Sequence, residues 1–223
     1  MNAGFGVARL ARHRMAAAIV IGVGLGAVVT NTSAATFSAR ETHGGLVVDR
    51  ADGRTDRLVS NGWFLQSGQP TFVYRDGGGR VAGVWDTGAE TAVVRAGTTA
   101  NAAAIGRIVP TWDDNAFRLA IEPAGGPEIR TTVFERESGS GTLNRGASTR
   151  EALEGSYRAT LRSTGGDVVG WLRVDVDPEG GTRFAGDLPS TVSPALAAAA
   201  AAAIDGEVSF IYADLDDVNP LCH

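Results

Sequence analysis

The sequence predicts a mainly β protein: antiparallel sheets in a sandwich or barrel-like arrangement, with one alanine-rich α-helix near the C-terminus. Three observations predict it. Short runs rich in Val, Phe, Tyr and Trp recur between turns made of Gly and Asp, which is the pattern of strands and hairpins. One long helix-forming run stands out, with seven consecutive alanines at 197–203. No repeat of 20–50 residues is evident, which argues against a solenoid.

The chain opens on a different kind of segment. Arg9, Arg12 and Arg14 precede the apolar run "MAAAIVIGVGLGAVVT" (residues 15–30), and small residues, "NTSAAT", follow it. Positive, then apolar, then small is the order of a secretory signal peptide. Cleavage after Ala35 would leave Ser33 and Ala35 at the two small-residue positions. The other reading is an uncleaved anchor, because a helix of about 20 residues spans a bilayer. We take residues 1–35 as the signal peptide and expect no stable membrane span after cleavage. Export would end in the periplasm, the cell envelope or the extracellular medium.

The 188 residues that remain suffice for one ordinary domain or two small ones. The first region, 36–140, reads as β-rich. Its expected strands are "GLVVDR", "RLVSNGWFLQ", "TFVYR", "RVAGVW", "AETAVVRA", "AFRLAIEP" and "EIRTTVFERE". "TTANAAAIG" is the helical candidate among them, because alanine favours helix. Residues 141–150, which begin within the polar stretch "SGSGTLNRGAS" (residues 138–148), read as a flexible loop or a boundary. The last region, 151–223, opens on a short helical turn at "TREALEG". "SYRATLRS", "DVVGWLRVDVD" and "TRFAGDL" then form an expected three-strand meander.

In "SPALAAAAAAAID", Ser193 suits the N-cap and Pro194 the first helical position. Leu196, Ala200 and Ile204 fall on one stripe, so the helix can lie close against a sheet. Gly206 is a candidate stop, and "EVSFIYADL" alternates as a following strand does. Ile204, Val208, Ile211 and Tyr212 also fit a continued helix.

Composition narrows the chemistry. All 20 basic residues are arginine; there is no lysine. Schiff-base chemistry, a P-loop lysine and a Ser-Lys dyad are therefore excluded. After loss of the leader, 17 arginines face 25 acids, a net charge of −8. Such an acidic surface repels nucleic acid and anionic lipid at long range. Cys222 is the single cysteine, so no intramolecular disulfide forms. The mature chain keeps only His43 and His223, a poor basis for a Ser-His-Asp triad or a structural zinc site.

Asp175, Asp177, Glu179 and Gly180 match the start of a calcium loop. Its twelfth position holds Gly186 instead of the closing Glu, so a hairpin is the simpler reading. No metal and no cofactor are expected. Paired carboxylates remain available for glycosidase-type chemistry, but no particular pair is indicated.

One stretch carries a family resemblance. "GGRVAGVWDTGAETAVV" resembles the active-site region of retropepsin-like aspartic peptidases, in which a strand leads through two hydrophobic residues into Asp-Thr-Gly-Ala. Here these are Val84, Trp85, Asp86, Thr87, Gly88 and Ala89. The resemblance implies a catalytic Asp86 braced by the Thr87 hydroxyl, with Gly88 permitting the tight turn. "NAAAIG", "AGG" at 124–126 and Val168-Val169-Gly170 are similar to the later helix, flap tip and hydrophobic-hydrophobic-Gly elements. The chain has no second Asp-Thr-Gly, so this activity would need a homodimer with paired aspartates sharing a proton. The alternative is structural: "DTGAE" as the loop of a hairpin between two strands.

The favoured expectation is an exported, acidic, non-catalytic protein that binds a small molecule, a glycan or a protein. Trp63, Trp112 and Trp171 flank strand-like runs and are the candidate ligand-binding residues, because aromatic faces suit sugars and apolar ligands.

Overall fold

The computed structural model describes residues 35–42, 44–61, 69–86 and 91–217. Residues 32–223 form one compact unit. The strands are β1 (Ala35–Thr42), β2 (Gly45–Arg50), β3 (Thr55–Ser60), β4 (Phe72–Arg75), β5 (Val81–Asp86), β6 (Ala92–Arg95), β7 (Ala104–Asp113), β8 (Ala116–Pro123), β9 (Ile129–Thr131), β10 (Glu135–Arg136), β11 (Gly155–Ser163), β12 (Val168–Val176) and β13 (Thr182–Leu188). A single α-helix, α1 (Pro194–Asp217), follows.

Every pairing is antiparallel, and neighbours in sequence, β9 and β10 excepted, are neighbours in the sheet. The first and last strands close the ring, with Phe37 opposite Gly186 and Ala39 opposite Phe184. Strands β9 and β10 share one edge of β11: Thr131 pairs with Leu161, and Glu135 with Arg158. The pair therefore occupies one position in the wall, and the result is an up-and-down barrel of 12 strands.

The alternation of side chains sets inside from outside. In β8, Phe117, Leu119 and Ile121 are buried, while Arg118 is exposed and Glu122 half-buried. In β11, Tyr157, Ala159 and Leu161 are buried between the more exposed Arg158, Thr160 and Arg162. Strands β2, β12 and β13 behave alike. Arginines stand on the outer face of most strands, among them Arg57, Arg75, Arg107, Arg118, Arg158 and Arg183.

The helix fills the lumen. Ala195 to Ala201 are seven consecutive buried residues, so no face of this part of the helix meets solvent. The helix packs on β6, β7 and β8 along one wall and on β13, β1 and β2 along the opposite one. Size explains the alanines. Twelve strands about 4.8 Å apart and tilted by about 40° close at a radius of roughly 12 Å. A helix with ordinary side chains has a radius of about 5–6 Å. What remains on each side holds one inward side chain from the wall, so the helix itself must be slim.

Two local expectations are corrected. "TTANAAAIG" is not helical: turns occupy residues 97–102, and β7 begins at Ala104. Pairing with β6 and β8 outweighs the modest helix preference of three alanines. Nor does a strand follow the alanine run. The helix continues through Gly206 to Asp217, because Ile204, Val208, Ile211 and Tyr212 are all buried at helical spacing. Their burial outweighs the ~1 kcal/mol that a mid-helix glycine costs.

The short turn at "TREALEG" forms a 3-10 helix over Arg150–Ala152, with Thr149 as its N-cap. Within residues 141–150, Leu143 exchanges backbone hydrogen bonds with Phe134 and Phe117, and Asn144 bridges to Ala116. These residues fill the wall between β8 and β10. Of the expected leader, residues 1–35, all but Ala35 lie outside the described residues.

Candidate functional site

The helix along the barrel axis occupies the lumen among the described residues. Of the concave surfaces there, three bear on the argument. One, with a cavity volume of about 950 Å³, lies on the outside of β7, β8, β9 and β11. A second, of about 520 Å³, opens where α1 begins, between Phe37, Val48, Arg50, Leu188 and Val192. The third, of about 350 Å³, runs along the small-residue face Ala199, Ala202, Ala203 and Gly206, against Phe72 and Val84.

The outer groove is made by side chains that alternate to the outside of neighbouring strands. Val109 and Thr111 come from β7, Arg118, Ala120 and Glu122 from β8, and Arg130 from β9. Thr132 follows β9, while Arg162 and Ser163 end β11. Five of its six charged side chains have ionic partners. Arg118 Nη2 lies 2.7 Å from Asp113 Oδ2, and Arg107 Nε 3.0 Å from Glu122 Oε2. Arg130 donates to Glu128, which holds the guanidinium above its ordinary pKa range. Arg162 donates to the Gly166 carbonyl, 2.8 Å. Half-buried Val109 and buried Ala120 form the floor.

The groove sits on a seam where β9 is only three residues long. Two successive threonines stitch it. Thr131 Oγ1 accepts the Leu119 N–H of β8 at 2.8 Å, and Thr132 Oγ1 accepts the Thr160 N–H of β11 at 3.0 Å. Side chains thus replace ladder bonds that the short strand does not supply. The seam stays closed and presents no open strand edge.

The sequence-predicted residues scatter. Trp112 borders the groove, but its ring is occupied: the Arg145 guanidinium lies 4.2 Å over it, and Phe117 leans against it with centroids 5.0 Å apart. Its buried indole N–H has no acceptor among the described residues. Trp171 stands on the outer face of β12, under Arg158 at 4.6 Å, and does not line the groove. Trp63 lies outside the described residues. Asp86 ends β5, opposite Ala92 of β6; Thr87 and Gly88 lie outside the described residues. Of the two described tryptophans, Trp112 borders the groove and Trp171 does not.

Sequence reasoning missed Arg118, Arg130, Arg162 and Thr132. A signal for them exists in "AFRLAIE", "EIRTT" and "ATLRS", where Arg alternates with apolar residues. Which strands adjoin cannot be read from those runs.

One buried and one half-buried carboxylate lie elsewhere. Asp56 is fully buried; it accepts the Tyr74 hydroxyl at 2.5 Å and the Gly77 N–H at 2.9 Å, with Arg50 Nη1 3.8 Å away. Burial, then the bond to Asp56, pushes the Tyr74 hydroxyl far above the ordinary tyrosine range. Asp205 of α1 accepts from the Thr182 hydroxyl of β13. Burial raises its pKa to about 6, against the lowering effect of that bond, and Glu41 adds to the rise. Asp177, from the calcium-like stretch, is used up by the β12–β13 turn: its Oδ1 accepts the Glu179 and Gly181 N–H groups.

Comparison with protein-family models, curated proteins and solved structures gives no match. The described residues contain no histidine and no cysteine. What the groove can do is hydrogen-bond: guanidinium donors, carboxylate acceptors and hydroxyls that serve as both.

Proposed function

We propose that this chain is an exported, non-catalytic binding protein that holds a polar ligand in the groove outside β7, β8, β9 and β11. The observation that carries the reading is the groove itself: about 950 Å³, lined by convergent hydrogen-bonding side chains and set on paired strands. A rigid wall holds such groups in place at little entropic cost on binding. The leader pattern of residues 1–35 supports export.

The ligand site is tested by amide chemical-shift mapping with a library of hydrophilic fragments: sugars, polyols, amino acids and nucleosides. Shifts clustering on Thr111, Arg118, Arg130, Arg162 and Ser163 are expected. Shifts centred elsewhere, or none at all, end the reading. Export is tested by intact mass of protein recovered outside the cytoplasm, expected to begin at Thr36; material still bearing Met1 overturns that part.

A second reading keeps Asp86. It closes strand β5 immediately before Thr87-Gly88, the setting that the retropepsin-like resemblance implies. On this reading a homodimer cleaves casein at acidic to neutral pH, pepstatin inhibits it, and Asp86→Asn abolishes it. Cleavage by the Asp86→Asn protein equal to wild type removes the reading.

A further inference from the structure

We infer that the outer groove takes a short uncharged oligosaccharide, an inference that rests on the groove reading above. Charge, edges and floor each narrow the occupant.

Five of the six charged side chains that line the groove have ionic partners: Arg118 with Asp113, Arg130 with Glu128, and Glu122 with Arg107 beside the groove; the sixth, Arg162, donates to the Gly166 carbonyl. An anionic ligand meets the like charge of Asp113, Glu122 and Glu128, and a cationic one meets Arg118, Arg130 and Arg162. Paired groups still hydrogen-bond. A guanidinium carries five donors and a carboxylate about four acceptor positions, and a single ion pair leaves part of each set over. Sugar hydroxyls donate and accept at once, so a mixed, charge-balanced lining serves them well. Thr111, Ser163 and Thr164 add hydroxyls to the lining.

A peptide occupant finds less here. Peptides commonly bind β proteins by adding a strand to an open edge. This barrel is closed, and at its weakest point Thr131 and Thr132 take the backbone donors of β8 and β11. Beneath the polar rim, Val109 and Ala120 give a small apolar floor, against which the C–H face of a sugar ring can rest. The groove crosses four adjacent wall positions, roughly 14 Å at the usual strand spacing, which is room for a few rings.

The test titrates the full chain with neutral trisaccharides (maltotriose, cellotriose and N,N′,N″-triacetylchitotriose), with trigalacturonate and with trialanine, followed by amide shifts. A neutral trisaccharide is expected to move Thr111, Arg118, Arg130 and Arg162, with an affinity nearly unchanged up to about 0.5 M salt. Arg130→Ala and Arg162→Ala are each expected to weaken it about tenfold while near-UV circular dichroism stays unchanged. Arg118→Ala provides a third variant should either fold poorly. Groove shifts with trigalacturonate alone overturn the uncharged ligand, and shifts with trialanine alone overturn the carbohydrate class; both leave the groove reading standing. Shifts away from the groove, or with no probe, overturn both.

Discussion

Leu196 of the lumen helix lies directly on Gly106 of strand β7. A Cβ at Gly106 would come within 2.7 Å of Leu196 Cδ1 and 2.6 Å of the Glu122 carbonyl oxygen. Plug and wall are thus matched at one point where the wall has no side chain and the helix has one of its bulkier ones. Elsewhere the roles reverse, and alanines of the helix meet Phe, Leu and Ile from the strands.

That contact yields a pair of opposite predictions. Gly106→Ala overpacks the seam and is expected to destabilise by about 1–3 kcal/mol. Leu196→Ala alone opens a cavity and costs about 2–5 kcal/mol. The double variant is expected to lose less than the sum, since each change relieves the other. Urea unfolding of the four proteins measures the coupling, and strict additivity would show that the two residues do not share space.

Gly206 presents the contrary case. It sits inside α1, is exposed, and a Cβ there meets nothing within 4 Å. Gly206→Ala is expected to stabilise by about 0.5–1 kcal/mol, through helix propensity and a less flexible unfolded chain. Thermal unfolding checks this; a lowered Tm would mean that the helix does not run unbroken through position 206.

Much of the fold was legible in the sequence, for identifiable reasons. The strands of 155–188 announce themselves because β-rich runs are separated by strong turns: Thr164-Gly165-Gly166 and Pro178-Glu179-Gly180-Gly181. The helix start was legible at Ser193, whose Oγ accepts the Leu196 N–H. Two things were hidden. Ala102 to Ala104 read as helix because propensity is local, while the pairing of Ala104 with Arg95 is not. The helix end was hidden because Gly206 is a stop only where burial does not carry the chain past it. Nor does the alanine run say what surrounds it. The same seven residues suit a helix lying on a sheet and one threaded through a barrel. For the site, Arg118, Arg130 and Arg162 lie far apart in sequence, and only the β8–β9 and β9–β11 pairings bring them together.

The threonine stitch is open to direct trial. Thr131 is buried and is the acceptor for the Leu119 N–H. Thr131→Val keeps shape but leaves that donor unsatisfied, at an expected cost of about 1–3 kcal/mol. Thr131→Ser retains the hydroxyl and is expected to keep the bond. Hydrogen exchange at the Leu119 amide distinguishes this from a general loss of packing. Exchange there should quicken in Thr131→Val well beyond that at Ile121, and equal acceleration at both would refute the stitch.

Asp205 gives the fold a pH dependence whose sign is fixed by its surroundings. Burial raises its pKa from 3.8 to about 6 in the folded protein. The folded state therefore holds this proton over a range in which the unfolded chain has released it. Its contribution to stability is most favourable below about pH 4, declines as pH rises through 6, and is constant above that. The full difference corresponds to a little over two pKa units, at most about 3 kcal/mol, and residual solvent contact lowers it to roughly 2 kcal/mol. Asp205→Asn removes the ionisation and keeps an oxygen for the Thr182 hydroxyl. It is expected to be more stable than wild type at pH 7.5 and to lose that advantage on going to pH 4. Denaturant titrations of both proteins across that range measure the difference, in which contributions of the other carboxylates cancel. An Asn variant less stable at pH 7.5 would show that the charged carboxylate is what the lumen prefers.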